Sequence, residues 1–182
     1  MTVVTRETRE TRIRLELVAN GGDTPGEIAT GRRFLDHMLS VIAHHSGLTL
    51  HVRAEGDLQH HLVEDVAIAL GTAVAPLIRP TIARHAHRTI AMDDALVECV
   101  VDLGGRAWYT GPLPSARYDH FLRSFAFAAG ATLHVRVLRG HDRHHVVEAA
   151  FKALGLALRD ALATTTTSNS TKGEIELRVS EP

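Results

Sequence analysis

At 182 residues, 45% of them hydrophobic, the chain is long enough for one sizeable core or two tightly fused half-domains. Its 20 Lys and Arg balance 21 Asp and Glu and are scattered without a run, which argues against nucleic acid as a partner. One cysteine excludes an internal disulfide framework and no stretch is apolar enough to span a bilayer, so a cytoplasmic protein with no membrane partner is expected.

In chain order, residues 11–18 alternate apolar and polar as a half-buried strand does, and the turn at Asn20-Gly-Gly-Asp23 leads to a second strand ending near Thr30. Residues 34–46 place Phe34, Leu35, Met38, Leu39 and Ile42 at helical spacing. Residues 48–54 alternate again, and residues 60–78 read as a long helix with Val63, Val66, Ala67, Leu70 and Val74 on one side. The second half repeats the order: strand 95–103 with Cys99 as a core residue, the Gly104-Gly105 turn, strand 106–110, helix 117–129, strand 131–138 and helix 144–162. The Thr/Ser-rich run 164–171 reads as a loop, and residues 174–179 as a closing strand.

The halves are copies. Aligning residues 36–71 with 119–155, with Arg143 as a single insertion, makes nearly half of the positions identical, a clear internal duplication. The fold class expected is α+β, with duplicated ββαβα half-domains at 1–92 and 93–182 forming one compact unit.

Histidine is unusually frequent, at 13 residues, and the duplication repeats its placement. His60-His61-Leu62-Val63-Glu64 pairs with His144-His145-Val146-Val147-Glu148, and Asp36-His37 pairs with Asp119-His120. In His-His-x-x-Glu on a helix, the first histidine and the glutamate sit one turn apart on one face and can share a metal, while the second histidine is turned by about 100°. Each motif therefore suits two ions. The economical partition is His37/His61/His144/Glu148 and His60/Glu64/His120/His145. Three imidazoles and a carboxylate suit manganese or zinc with positions open for substrate. His44, His51, His85, His87, His134 and His141 lack such a pattern and read as solvated or capping residues. The chain has no nucleophile elbow, no phosphate-binding glycine loop of the Walker or dinucleotide type and no paired-cysteine zinc motif.

These residues resemble the imidazoleglycerol-phosphate dehydratases of histidine biosynthesis over nearly the whole chain. The landmarks are Arg6-Glu-Thr-Arg-Glu-Thr11, Phe34-Leu-Asp-His-Met-Leu39, Gly56-Asp57 ahead of the first motif, Met92-Asp-Asp-Ala-Leu96, Val101-Asp-Leu-Gly-Gly-Arg106, the second motif and Ser170-Thr-Lys-Gly173. The resemblance implies helices packed between two mixed β-sheets, in the ribosomal protein S5 domain 2-like manner. It implies a hydro-lyase that dehydrates imidazole glycerol phosphate to imidazole acetol phosphate with two divalent ions per active site, manganese being the expected metal. It places the proton-abstracting carboxylate at Glu10 and phosphate ligands at Arg84, Arg106, Ser170 and Lys172. It also implies a homo-oligomer, a trimer-based shell of twenty-four subunits with active sites between subunits. The chain departs from the family in a shortened lead-in to His60, in Leu62 for a threonine, in Val41 for a glutamine, in Arg32-Arg33 for an Ile-Pro pair and in His85-Ala86 for an aromatic-glycine pair. A catalytically impaired metal-binding oligomer, or a lyase for a related azole phosphate, are the alternatives these changes raise.

Overall fold

The structure is a computed structural model and describes residues 1–19 and 26–166. β1 (Thr2–Glu7) and β2 (Thr11–Ala19) form an antiparallel hairpin, β2 pairs antiparallel with β4 (Leu48–Gly56), and β3 (Ile28–Ala29) lies parallel to β4 on its other edge. The second sheet repeats this with β5 (His85–Met92), β6 (Ala95–Leu103), β8 (Ala131–Arg139) and β7 (Trp108–Thr110), so the orders are β1-β2-β4-β3 and β5-β6-β8-β7. Helices α1 (Arg33–Ser46) and α2 (Gln59–Val74) follow β3 and β4, and α3 (Ala116–Ala129) and α4 (Arg143–Ala161) follow β7 and β8.

Each half is thus βββαβα, one strand richer than the ββαβα expected. β1 alternates half-buried and exposed positions, and β5 carries His85, His87 and Arg88 on an edge where one side faces solvent. Neither has the apolar row that marks an interior strand. β5 ends where the boundary between halves was expected, at residue 92, yet pairs with β6 along its length, so the second sheet begins at residue 85. The turn at residues 20–23 and the strand at 174–179 lie outside the described residues.

Alternation builds the core. Ile13, Leu15 and Leu17 of β2 are fully buried while Arg12 and Arg14, alternating with them, face solvent, and Val97, Cys99 and Val101 form the matching row of β6. α1 and α3 each end in a left-handed glycine, Gly47 at φ +72° and Gly130 at φ +65°, a backbone conformation that an L side chain resists.

The helices fill the space between the sheets and pair across the halves: α1 packs on α4, and α2 on α3. Gly71 of α2 and Gly155 of α4, equivalent by the duplication, permit this. A Cβ on Gly71 would lie 2.5 Å from the Phe125 carbonyl oxygen, and one on Gly155 2.8 Å from the His45 Cβ. Among the described residues no helix is long and apolar enough to cross a membrane.

Candidate metal and catalytic site

The crossed helix pairing decides which histidines meet. α1 brings His37 to the N-terminus of α4, where its Nε2 lies 3.0 Å from Glu148 Oε2 and the His144 Nε2 lies 3.3 Å from the same oxygen. α3 brings His120 to the N-terminus of α2, with its Nε2 3.3 Å from Glu64 Oε1 and the His60 Nε2 3.9 Å from Glu64 Oε2. The imidazoles in each trio are near parallel, at 18° for His37 and His144 and 23° for His60 and His120. In each trio one donor atom from every residue lies within 4.8 Å of the others, two pseudo-equivalent His-His-Glu clusters.

His61 and His145 do not join these trios, so the partition expected from the sequence is not assembled within one chain. Each is turned away from its motif partner and faces the hairpin of its own sheet. His61 Nδ1 donates to Asp57 Oδ1 at 3.0 Å and lies 3.3 Å from Glu10 Oε2. His145 Nδ1 donates to Asp94 Oδ1 at 2.8 Å, with its Nε2 3.4 Å from Asp93 Oδ2. The hydrogen bonds these two imidazoles donate to Asp57 and Asp94 raise their pKa above the ordinary value. A carboxylate on Nδ1 fixes the ring and the tautomer that offers Nε2, the arrangement common behind metal-binding histidines.

The two trios differ electrostatically. Glu148 is buried, which pushes its pKa up, but hydrogen bonds from Lys152 and His37 outweigh burial and hold the carboxyl below its usual range. Lys152 Nζ sits 2.9 Å from Glu148 Oε1, and the duplicated position near Glu64 is Ile68. In the other trio, His120 Nε2 is a buried nitrogen with no hydrogen-bond partner, since its approach to Glu64 lacks hydrogen-bond geometry. A buried polar atom without a partner is costly. A nitrogen facing a carboxylate and a second imidazole is satisfied by a divalent cation, so the donor sets fit such an ion.

The two hairpins present their acids differently. Asp94 accepts from the backbone amides of His141, at 2.6 Å, and Asp142, at 3.1 Å, as well as from His145, and these bonds hold its pKa well below the carboxylate range. Glu10, on the β1–β2 turn, is more than half exposed and is not tied into the backbone this way.

The expected phosphate ligands lie elsewhere in the fold. Arg84, at φ +70°, donates from Nε to Asp102 Oδ1 at 2.6 Å and from Nη2 to Asp102 Oδ2 at 3.2 Å. Its amide donates to the Ala161 carbonyl at the C-terminal end of α4. Arg106 is exposed after β6, next to Gly105, where a Cβ would come within 3.7 Å of Arg84 Nη2. His144 opens the helix whose other end Arg84 touches, and the span from residue 144 to 161 is about 25 Å along an α-helix axis. Ser170 and Lys172 lie outside the described residues.

Leu62 and Val41, two of the departures from the family pattern, are core residues at 1% and 7% exposure, so packing absorbs them. The sequence reading missed Asp57, Asp93, Asp94 and Lys152 as neighbours of the motifs. Asp57 and Lys152 stand one helical turn from His61 and Glu148, a spacing that could have found them. The Asp93-Asp94 contact depends on loop placement and left no local signal.

Residues 30–158 match the family described as imidazoleglycerol-phosphate dehydratase. The imidazoleglycerol-phosphate dehydratase of Anaeromyxobacter sp. (strain Fw109-5) is 47% identical, with 93% of this chain and 91% of that protein covered, and that of Salinibacter ruber is 44% identical over 87% and 86%. The crystal structure of the Pyrococcus furiosus enzyme in complex with (S)-C348 superposes with a TM-score of 0.84 at 36% identity, covering 94% of this chain and all of that one. The Staphylococcus aureus enzyme superposes at 0.78 with 31% identity. Duplicated sheets, crossed helix pairs and twin His-His-Glu trios are accompanied by this likeness along almost the whole sequence, and the chain belongs to the imidazoleglycerol-phosphate dehydratase family.

Proposed function

We propose that this chain is the hydro-lyase that converts imidazole glycerol phosphate to imidazole acetol phosphate and water in histidine biosynthesis, using two divalent ions per active site, manganese being the metal expected. The observation that carries the metal requirement is the pair of His-His-Glu trios, one of them with an unpartnered buried imidazole nitrogen. His37, His144 and Glu148 would hold one ion and His60, Glu64 and His120 the other, with His61 and His145 offered through Nε2 to the trios of neighbouring copies. Bound divalent ions supply Lewis acidity toward the nitrogens of the substrate ring.

Glu10 takes the proton from the carbon to be deprotonated, the hydroxyl on the adjacent carbon leaves as water, and the resulting enol tautomerises to the ketone. The carboxylate suits this role because it is exposed and sits 3.3 Å from His61, whereas Asp94 on the matching hairpin is engaged with backbone amides. Arg84, Arg106, Ser170 and Lys172 bind the phosphate dianion through charge-assisted hydrogen bonds. Arg84 and His144 lie at opposite ends of α4, so a substrate of this size touches both only if they come from different subunits. That supports active sites between subunits, in the trimer-based shell the family resemblance implies. A single buried free thiol, Cys99, suits the reducing cytoplasm.

The test is turnover of imidazole glycerol phosphate before and after chelation, with manganese, zinc and magnesium restored separately and bound metal counted. Loss on chelation and recovery with manganese at about two ions per chain are expected. Full turnover by metal-free protein would overturn the metal requirement, and no product with any metal would overturn the activity.

A further inference from the structure

The two hairpins that flank the metal motifs are fastened to their helices in different ways. The β5–β6 turn is fastened by its own carboxylate, Asp94, which accepts from the amides of His141 and Asp142 just ahead of α4. The β1–β2 turn is fastened from the helix side. Asp65 follows the Glu64 ligand on α2, is buried at 8% exposure, and stands where the duplicated copy has Ala149. Its Oδ2 accepts from Thr11 Oγ1 at 2.5 Å, and its Oδ1 accepts from Arg6 Nε at 2.9 Å and lies 2.8 Å from Arg6 Nη2 in an ion pair.

The connection continues to Glu10. Because the Thr11 hydroxyl donates to Asp65, the 3.1 Å contact between the hydroxyls of Thr8 and Thr11 has Thr8 as donor. The Thr8 oxygen accepts from the amides of Glu10 and Thr11, at 3.1 and 2.9 Å. The Glu10 carbonyl in turn accepts from the amide of Asp57, which lies just ahead of α2. An oriented series of hydrogen bonds therefore runs from a buried carboxylate beside a metal ligand to the backbone of Glu10, and none of them uses the Glu10 carboxylate.

We propose that Asp65, acting through Thr11 and Thr8, is the positioning residue for Glu10, fixing the base-bearing turn against the metal-binding helix while leaving the Glu10 carboxylate available to substrate. This rests on the reading of Glu10 as the base. Asp65 performs in the first half the fastening that Asp94 performs in the second, which is why the first hairpin keeps a carboxylate for chemistry and the second does not. Arg6 balances the charge of Asp65, so the buried anion is paired on one oxygen and directed at Thr11 by the other.

The experiment compares metal-loaded full-length Thr11→Val, Thr11→Ser, Thr8→Val and Asp65→Asn, alone and combined with Glu10→Gln. Misplacing a catalytic group by an ångström costs about 100-fold in rate, so Thr11→Val and Thr8→Val are each expected to lower kcat by about that factor with KM and metal content unchanged. Thr11→Ser, which retains the hydroxyl, is expected to recover most of the loss. Thr8 is exposed, so its variant reports even if a buried change at Thr11 or Asp65 prevents folding. Combined with Glu10→Gln, the threonine changes are expected to cost nothing further. Normal kcat in Thr11→Val and Thr8→Val, or losses that multiply with that of Glu10→Gln, would overturn the positioning role. Normal kcat in Glu10→Gln alone would instead overturn the assignment of the base.

Discussion

Gly71 on α2 and Gly155 on α4 are duplicated counterparts, and each is the point at which a helix of one half touches a helix of the other. The contact at Gly71 is the tighter, because the atom it faces is the Phe125 carbonyl oxygen, with the amide of Ala129 also within 2.9 Å of a would-be Cβ. Backbone cannot rotate aside as a side chain can. Overpacking of this kind costs about 1–3 kcal/mol, more than the roughly 1 kcal/mol that alanine gains over glycine in a helix. Gly71→Ala is therefore expected to lower the denaturation midpoint and to weaken metal binding at His60, Glu64 and His120, whose ligands straddle that crossing. Equilibrium unfolding and metal titration check both, and an unchanged midpoint would show that α2 and α3 can separate freely.

Replacing Glu10 with glutamine removes the proposed base and preserves its size. Loss of a positioned general base costs about 100- to 10,000-fold, so turnover of imidazole glycerol phosphate should fall by that order while metal content stays at the wild-type level. Steady-state kinetics beside metal analysis of the same preparation decides it.

Chelation should lower the unfolding midpoint, since an ion bound only to the folded state at 100 times its dissociation constant contributes about 2.7 kcal/mol. His120→Ala removes an imidazole from one proposed metal trio and His37→Ala from the other, so each variant is expected to lose one of two metal-dependent stabilisations and keep the other. Scanning calorimetry with stepwise metal addition checks this. Retention of both steps in either variant would mean that the trios are not the sites.

Complementation tests the division of the active site between subunits. Arg84→Ala and His144→Ala should each be inactive alone, yet co-assembled they should regain activity, because up to about a quarter of interfaces in a random mixture pair an intact Arg84 with an intact His144. Co-expressed, differently tagged subunits supply the assay. Mixed assemblies with no activity would overturn the division of the site between subunits.

Burial raises the pKa of the Cys99 thiol. An unfolded thiol ionises near pH 8.5 while the folded one keeps its proton, so the folded state binds more protons above that pH. Stability is then complete below about pH 8.5 and falls as pH rises beyond it, with a slope limited to about 1.4 kcal/mol per unit. Cys99→Ala is expected to flatten this alkaline decline in urea midpoints between pH 8 and 10, at the cost of a small cavity.

The parts of the fold visible in the sequence were those that repeat with a period. Ile13, Leu15 and Leu17 announced β2, Leu35, Met38, Leu39 and Ile42 announced α1, and the duplication carried both readings into the second half. β1 and β5 escaped because an edge strand needs no apolar row. His37 and His120 emerged as metal candidates only because the chain contains each in copy. That His61 and His145 stand apart from the trios was not legible, because it follows from α1 choosing α4 and α2 choosing α3, a tertiary choice made by Gly71, Gly155 and the facing side chains. The attachment of Asp94 to the amides of His141 and Asp142 is likewise a product of two loops meeting, and no spacing along the chain encodes it.

The same crossed pairing constrains how such a chain arose. His37 comes from the first half and meets His144 and Glu148 of the second, and His120 comes from the second and meets His60 and Glu64 of the first. A half-length ancestor carrying one copy of the motif would have held all three donors only by pairing with its twin, helix against helix about a twofold axis. On that account the two trios predate the gene fusion, and joining the twins end to end kept both. Fusion then freed the copies to diverge, and Asp65 against Ala149 and Ile68 against Lys152 record where a symmetric ancestor became an enzyme with two unlike halves.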